Sequence, residues 1–180
     1  MNSVLASLET TLTQALDGLD AAQTQLRPRA SGAGTFSEKW SIQQIVEHLL
    51  LTYKSTCGAI QHRLDKGKPT DARATPQQRV FQFFLINLGI FPEGRPAPPM
   101  VTPGPHSKPL SGQQLIASVH EDLVTLDPIF DQAEKTFGHQ RATTHQILGP
   151  LNIAQWRRFH LIHTRHHARQ IRAIRRQHGL

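Results

Sequence analysis

Residues 151–179 read LNIAQWRRFHLIHTRHHARQIRAIRRQHG, a stretch whose apolar positions recur with the period of one long helix. Successive side chains are about 100° apart around a helix, so Ile174 projects at about 20° from His163 on the face that packs into a core. His167 lies at roughly 40° and His160 at about 60° on the same scale. Three imidazoles therefore share the apolar face. Burying polar rings is costly unless something satisfies them, and a metal ion would do so.

The spacing of these histidines favours a metal site. His163 and His167 are an i, i+4 pair, from which two ring nitrogens can reach one ion about 2.0–2.1 Å from each. His160 competes as a ligand because it is one turn before His163. Gln170, at about −20°, can hydrogen-bond a ligand from the outer coordination sphere. A catalytic site also needs a third protein ligand and an open position. Spacing does not choose that ligand among His48, His62, His120 and His145.

The start of this helix has a signature that recurs earlier in the chain. A capping Ser or Asn is followed by Gln at the third helical position, with apolar residues on either side, which is a capping box with a hydrophobic staple. The three starts are at Ser41, Ser111 and Asn152. With the leucine spacing of residues 3–27, they predict four long helices and an all-α four-helix bundle. Pro128 is expected to kink or break the third of these helices.

An insertion separates the second and third long helices. Thr75-Pro76 reads as a helix start, and residues 76–88 are apolar nearly all round but too short to span a bilayer. We expect a short helix packed over one end of the bundle, or alternatively a contact in a homodimer. Seven prolines between residues 91 and 109 predict an extended, stiff connector. No run alternates as a strand does.

Length and composition narrow the class of protein. One hundred and eighty residues suit a single domain over 1–180. No apolar run is long enough to span a membrane, and the first residues lack the basic start of a signal peptide. Cys57 is the lone cysteine, which excludes an internal disulfide and fits a reducing compartment, so we expect the cytoplasm.

The formal charge of +7 suggests nucleic acid as a possible binding partner. Much of this charge comes from seven arginines of the last helix, at positions 157, 158, 165, 169, 172, 175 and 176. Only 6% of residues are aromatic, and no nucleic-acid-binding module is recognisable. We therefore expect these arginines to form the solvated face of an amphipathic helix, and nucleic acid is not the expected partner.

Two motifs resemble a known family. Trp40-Ser41 with Glu47-His48-Leu49, and His163-x-x-His166-His167-x-x-Gln170-Ile171, are similar to the DinB/YfiT-like superfamily of four-helix metalloproteins. The run from His145 through Gly149-Pro150-Leu151 to Trp156 resembles an uncharacterised branch of it. The resemblance implies one divalent ion, zinc or nickel, and three ligands that map to His48, His163 and His167.

Two further residues acquire expected roles from the resemblance. His48 is about 100–140° from the main apolar stripe of its helix, so it faces either a polar-lined cavity or solvent. The resemblance favours the cavity, and Thr52, one turn on, would then line it. His145 is placed in a structured loop before the last helix, where we expect it to hold the loop by hydrogen bonds.

Three functions follow as hypotheses. The resemblance implies a metal-dependent hydrolase, or a transferase that moves a small-molecule thiol onto an electrophile. No carboxylate near the ligands in sequence is an obvious general base, which favours thiol transfer, and no catalytic side chain can be assigned. In the second hypothesis the protein is a non-catalytic metal-binding or stress-response bundle, in which the ion only braces the helices. A closed fourth coordination position would favour it. The third is a basic nucleic-acid-binding helical protein.

Overall fold

Helices dominate the computed structural model, which describes residues 1–29, 39–91, 97–104 and 108–180. Within these residues the helices are α1 (Ser3–Leu16), α2 (Ile42–Asp65), α3 (Pro76–Gln82), α4 (Gly112–Phe137) and α5 (Ile153–His178). Strands β1 (Thr143–His145) and β2 (Gly149–Leu151) pair antiparallel just before α5, with Thr144 opposite Pro150.

The helix starts are set by local hydrogen bonds. At α2 the Ser41 hydroxyl accepts from Gln44 N at 3.2 Å, and the Gln44 side chain accepts from Ser41 N at 3.1 Å. The same capping box is present at Ser111 and Asn152, as the sequence predicts, and a fourth occurs at Thr75 before α3. Each box satisfies two backbone donors that a helix start leaves unpaired.

The four long helices form the predicted all-α bundle with a crossed connectivity. α1 packs against α4 and α5, and α2 packs against the same two helices, so α1 and α2 occupy one diagonal. The core between them is apolar and fully buried, with Leu8 of α1, Leu49 of α2, Leu123 of α4 and Ile171 of α5 all at 0% exposure. This arrangement brings α2 beside α5.

The first helix is shorter than predicted. Residues 3–27 read as one helix, yet α1 ends at Leu16 and a separate 3-10 turn follows at Gln23–Gln25. Gly18 adopts a left-handed φ of 71°, which turns the chain away, and the Leu19 carbonyl accepts from Gly112 N at 2.8 Å. The contact of this backbone with the start of α4 therefore ends α1 earlier than the leucine spacing predicts.

Two other expectations need correction. Of the two effects expected at Pro128, a kink or a break, the break does not occur: α4 is continuous from Gly112 to Phe137, although proline removes one helical hydrogen bond. The carbonyl left without that bond belongs to Val124, a residue that is 51% exposed. The β1–β2 ladder was not predicted, because three residues per strand are too few to show alternation.

The insertion packs against α5 and the ladder. α3 continues as a π-helical turn, Phe83–Asn87, which contacts α5. The Gln82 amide donates to the carbonyls of Leu148 and Pro150 at 2.6 and 3.2 Å, which fixes α3 to β2. Residues 97–104 then return along α2 through a 3-10 turn at Pro99–Val101. Parts of the proline-rich connector, and the 31–34 loop predicted after α1, lie outside the described residues.

Most of the arginines on α5 are exposed to solvent, as predicted. Arg158, Arg165, Arg169 and Arg176 are exposed. Arg157 is buried, at 4% exposure, and its guanidinium bonds Asp131 and Glu134 of α4. None of the helices in the described part of the chain has the length and apolarity that crossing a membrane requires.

Candidate metal centre

Three histidines from two helices bring their Nε2 atoms together inside the bundle. His48 is on α2, and His163 and His167 are one turn apart on α5. The Nε2 atom of His163 lies 3.2 Å from that of His48 and 3.0 Å from that of His167. All three side chains are buried, with exposures of 5%, 6% and 6%. The structure thus brings together the three residues to which the family resemblance pointed.

The spacing of these atoms suits one ion. Two nitrogens bound about 2.0–2.1 Å from a tetrahedral zinc ion are about 3.3 Å apart. The two measured separations, 3.0 and 3.2 Å, are close to that value. One ligand atom from each histidine lies within 4.8 Å of the other two. The group can therefore hold a metal ion with little movement.

Hydrogen bonds fix the protonation of two of the rings. His48 Nδ1 lies 2.7 Å from the Val101 carbonyl, which can only accept, so Nδ1 carries the proton. His167 Nδ1 likewise donates to Gln170 Oε1 at 2.7 Å. The neutral rings then present bare Nε2 lone pairs to the centre, as a metal ligand requires. Lone pairs that converge this closely repel one another unless a cation lies between them.

His163 differs from its two neighbours at the other ring nitrogen. Its Nδ1 is buried and has no hydrogen-bond partner within the described parts of the chain. No acceptor there corresponds to Val101 or Gln170.

Burial keeps the three rings uncharged. Desolvation, together with a smaller effect of the nearby His48, lowers the pKa of His167 to about 3. Desolvation also lowers the pKa of His163 well below its usual value, as does the repulsion that a proton there would meet from protonated His167 and His48. The pKa of His48 is lowered by burial, against the opposing effect of the Val101 bond. Neutral imidazoles are the form that binds a metal ion, so no proton must leave at neutral pH.

Comparison of the sequence with models of protein families identifies the family of this chain. The family model described as the DinB superfamily matches residues 5–171. The chain belongs to the DinB superfamily. No curated protein and no solved structure matched the chain in the other two comparisons. The match includes all three clustered histidines, so the resemblance seen in the motifs is confirmed.

Aromatic rings surround the centre of this DinB-superfamily protein. Phe91 stacks on His163 at 5.2 Å between ring centroids and on His166 at 4.5 Å, while Phe159 stacks on His163 at 5.2 Å. Trp40 lies 4.9 Å from the His48 ring. These rings exclude water and lower the local dielectric, which strengthens electrostatic interactions with a bound ion.

No sequence pattern pointed to Phe91 or Val101 as parts of the centre. Both belong to the insertion, where proline-rich sequence has no period that assigns a face. The same insertion explains why His48 is buried although it lies away from the apolar stripe of α2. The solvent-facing alternative for His48 was wrong, because residues 97–104 and Trp40 cover the polar sector of α2 that helical spacing had left open.

The other predicted site residues lie outside the trio. The Thr52 hydroxyl donates to the backbone carbonyl of His48 at 2.8 Å, so a role for it in lining the pocket stays a prediction. His145 Nδ1 accepts from the amides of Ile147 and Leu148 at 3.1 Å each, which closes the turn between β1 and β2. His160 is at 0% exposure, one turn before His163, and is not among the clustered ligand atoms.

Proposed function

We propose that this DinB-superfamily protein is a metal-dependent enzyme acting on a small molecule, with one divalent ion held by His48, His163 and His167. The observation that carries the proposal is the convergence of three buried, neutral Nε2 atoms with separations of 3.0 and 3.2 Å. Imidazole ligands suit zinc and nickel, which we propose as the ion.

Three neutral ligands leave the charge of the ion uncompensated, which favours catalysis over simple bracing. A divalent ion supplies Lewis-acid chemistry, lowering the pKa of a water or thiol that binds to it. The protein contributes orientation: Val101 holds the ring of His48 and Gln170 holds that of His167. Phe91 and Phe159 flank His163 and keep its surroundings dry.

Thiol transfer is favoured over hydrolysis by the side chains around the centre. Within the described residues, no Asp, Glu or Cys joins the three histidines in one ligand group. Glu47 adjoins His48 in sequence, but its carboxylate accepts from the Gln43 amide at 2.9 Å. Hydrolysis usually needs a base to take a proton from water. A low-molecular-weight thiol brings its own nucleophile, so we propose a small thiol as one substrate.

A structural role is the second candidate. The observation in its favour is that no ligand is more than 6% exposed. An ion bound at such a site would brace α2 against α5, and a closed fourth position is typical of structural zinc.

Metal analysis and a titration together test the proposal. The purified protein should contain about one divalent ion per chain, as three-histidine sites do. In a cobalt-substituted sample, a simple thiol or acetate should change the visible absorption by entering the open position. One ion per chain with a spectrum that neither reagent alters would establish the structural role instead. No stoichiometric metal under any loading condition would refute both.

A further inference from the structure

A surface cavity is lined by three arginines that come from separate parts of the chain. It lies where the loop before α3 meets α3 and the β1–β2 ladder, and its volume is about 450 Å³. Among the described residues that line it, the arginines are the only charged ones, and none of the three clustered histidines is included. The lining consists of Ala72, Arg73, Ala74, Arg79, Arg141 and Pro150.

Hydrogen bonds hold the segments that carry these arginines together. Thr70 N donates to the Arg141 carbonyl at 3.0 Å, and the Thr70 hydroxyl accepts from Ala72 N at 3.3 Å. These two bonds fix the loop before α3 against the start of β1. Arg79 belongs to α3, which the side-chain amide of Gln82 attaches to β2. The fold therefore sets the backbone positions of all three arginines before a ligand binds, which reduces the entropy lost on binding.

The three guanidinium groups lack neutralising partners in the part of the chain that the structure describes. There, the side chains of Arg73 and Arg79 form no ion pair and no hydrogen bond, and that of Arg141 bonds only the neutral side chain of Gln155. Asp71, two residues before Arg73, is exposed and does not line the cavity. Guanidinium groups stay charged at neutral pH, so three positive charges repel one another around one cavity. A bound anion would remove that repulsion.

The number of guanidinium groups indicates the class of anion. Each presents a planar fork of N–H donors that pairs with two oxygens of one oxyanion. A carboxylate has two oxygens and one charge, which a single arginine can satisfy. A phosphate group has three acceptor oxygens and close to two charges at neutral pH, so several arginines can share it.

The shape of the site favours a small molecule over a nucleic acid. Proteins that bind a phosphate backbone do so with a charged groove that follows the strand, whereas these three arginines line one cavity. Its volume of about 450 Å³ is within the range of small-molecule sites, roughly 300–1,000 Å³.

We propose that Arg73, Arg79 and Arg141 bind the phosphate group of a small molecule in this cavity. The side-chain oxygen of Gln155, which also accepts from Asn152 N at the start of α5, orients the Arg141 guanidinium. That bond uses one of five N–H donors, and the others can donate to phosphate oxygens. Phosphate binding here needs no metal ion, so it goes beyond the proposed function and does not depend on it.

A titration of the purified protein with inorganic phosphate at neutral pH tests this site. In ¹⁵N–¹H NMR spectra, the backbone amides of residues 72–74, 79 and 141 should shift saturably, with one phosphate bound per chain. Acetate at the same ionic strength should shift them little, because it has one charge and two oxygens. No shift at these residues, or an equal response to acetate, would overturn the proposal.

Substitutions by glutamine measure what the guanidinium groups contribute. Arg73→Gln and Arg79→Gln each remove one charge-assisted pair, so the dissociation constant for phosphate should rise about 10–100-fold. Arg176→Gln is the matched control, because it removes the same charge from an exposed arginine of α5 that does not line the cavity. This control should bind phosphate as the wild type does. Equal weakening in all three variants would show that phosphate responds only to net charge, which would refute the site.

A second titration separates this site from the metal centre, since phosphate can also bind a metal ion. It uses His163→Ala, which should lack the ion, and the shifts at residues 72–74 and 79 should persist there. Their loss would assign the phosphate to the metal centre and exclude the cavity. Persistent shifts in a wild-type protein that binds no metal would keep the phosphate site and refute the proposed function. Stoichiometric metal with no shift at the cavity would do the reverse.

A short DNA duplex completes the comparison. If the duplex shifts the amides of residues 72–74 and 79 while inorganic phosphate does not, the arginines form a nucleic-acid surface and the small-molecule site is wrong. Saturable shifts with phosphate, and duplex binding that Arg79→Gln leaves unchanged, support the site as proposed.

Discussion

The three clustered histidines differ in the groups that orient their rings. His48 is oriented by a main-chain carbonyl, that of Val101, whereas His167 is oriented by the side chain of Gln170. His166 adjoins His167 in sequence, yet its Nε2 lies 3.1 Å from the Gln170 amide nitrogen and its ring stacks on Phe91. Adjacent histidines on one helix thus point to different partners, and only one of them reaches the centre.

Alanine substitutions should separate these two histidines. His163→Ala removes the nitrogen that lies between the other two, leaving a weak two-point site, so metal should be lost. His166→Ala removes a contact to Gln170 and should retain about one ion per chain. Metal content after gel filtration is the measurement, with circular dichroism to confirm that both variants are helical. Full stoichiometry in His163→Ala would contradict the ligand assignment.

Among the elements, the helix starts could be predicted from sequence, including that of α3 after Thr75, whereas the path of the proline-rich segment that follows could not. A capping box is complete within four residues. Ser41 and Gln44 therefore predict the start of α2 without any information from the rest of the chain. The ends of helices depend on distant contacts, as the approach of Gly112 to the end of α1 shows. The pairing of His163 with His167 could likewise be predicted, because the two residues are one turn apart on the same helix. Val101 and Phe91 come from a segment without periodicity, so their positions depend on the tertiary fold.

The contact between α1 and α4 depends on a glycine. A Cβ at Gly112 would lie 2.2 Å from the Leu16 carbonyl oxygen, a backbone atom that cannot move alone. Gly112→Ala should therefore lower the free energy of unfolding by about 1–3 kcal/mol, as overpacked sites do. Gly58, inside α2 and exposed, has nothing within 4 Å of its Cβ position.

Gly58→Ala is the control for this substitution. It should raise the free energy of unfolding by about 0.5–1 kcal/mol, because alanine is the better helix former. Urea unfolding of both variants measures the difference. Equal effects of the two substitutions would mean that α1 does not approach α4 as closely as described.

At the scale of the whole molecule, buried neutral histidines make stability depend on pH. Burial lowers the pKa of His160 and His167 to about 3 and that of His145 to about 4. In the unfolded chain these rings titrate near 6.5. Below that pH the unfolded chain binds protons that the folded chain does not, so acid favours unfolding.

The metal-free protein should accordingly lose stability as the pH falls from 7 to 5. Each of these histidines contributes up to roughly 1.4 kcal/mol per pH unit below 6.5. Urea midpoints across this range provide the measurement, and His160→Phe should show a shallower slope because it removes one such group. A midpoint that stays constant between pH 7 and 5 would contradict the burial of these rings.

The crossed connectivity has a consequence for the order in which the centre assembles. His48 and His163 are separated by 115 residues, and two of the three ligands belong to α5. During synthesis His48 therefore emerges from the ribosome long before His163 and His167 do. Contacts between residues this far apart in sequence slow folding, because the entropy of closing the intervening loop must be lost before they form. The proposed ion can therefore bind all three histidines only after α5 has packed against α2.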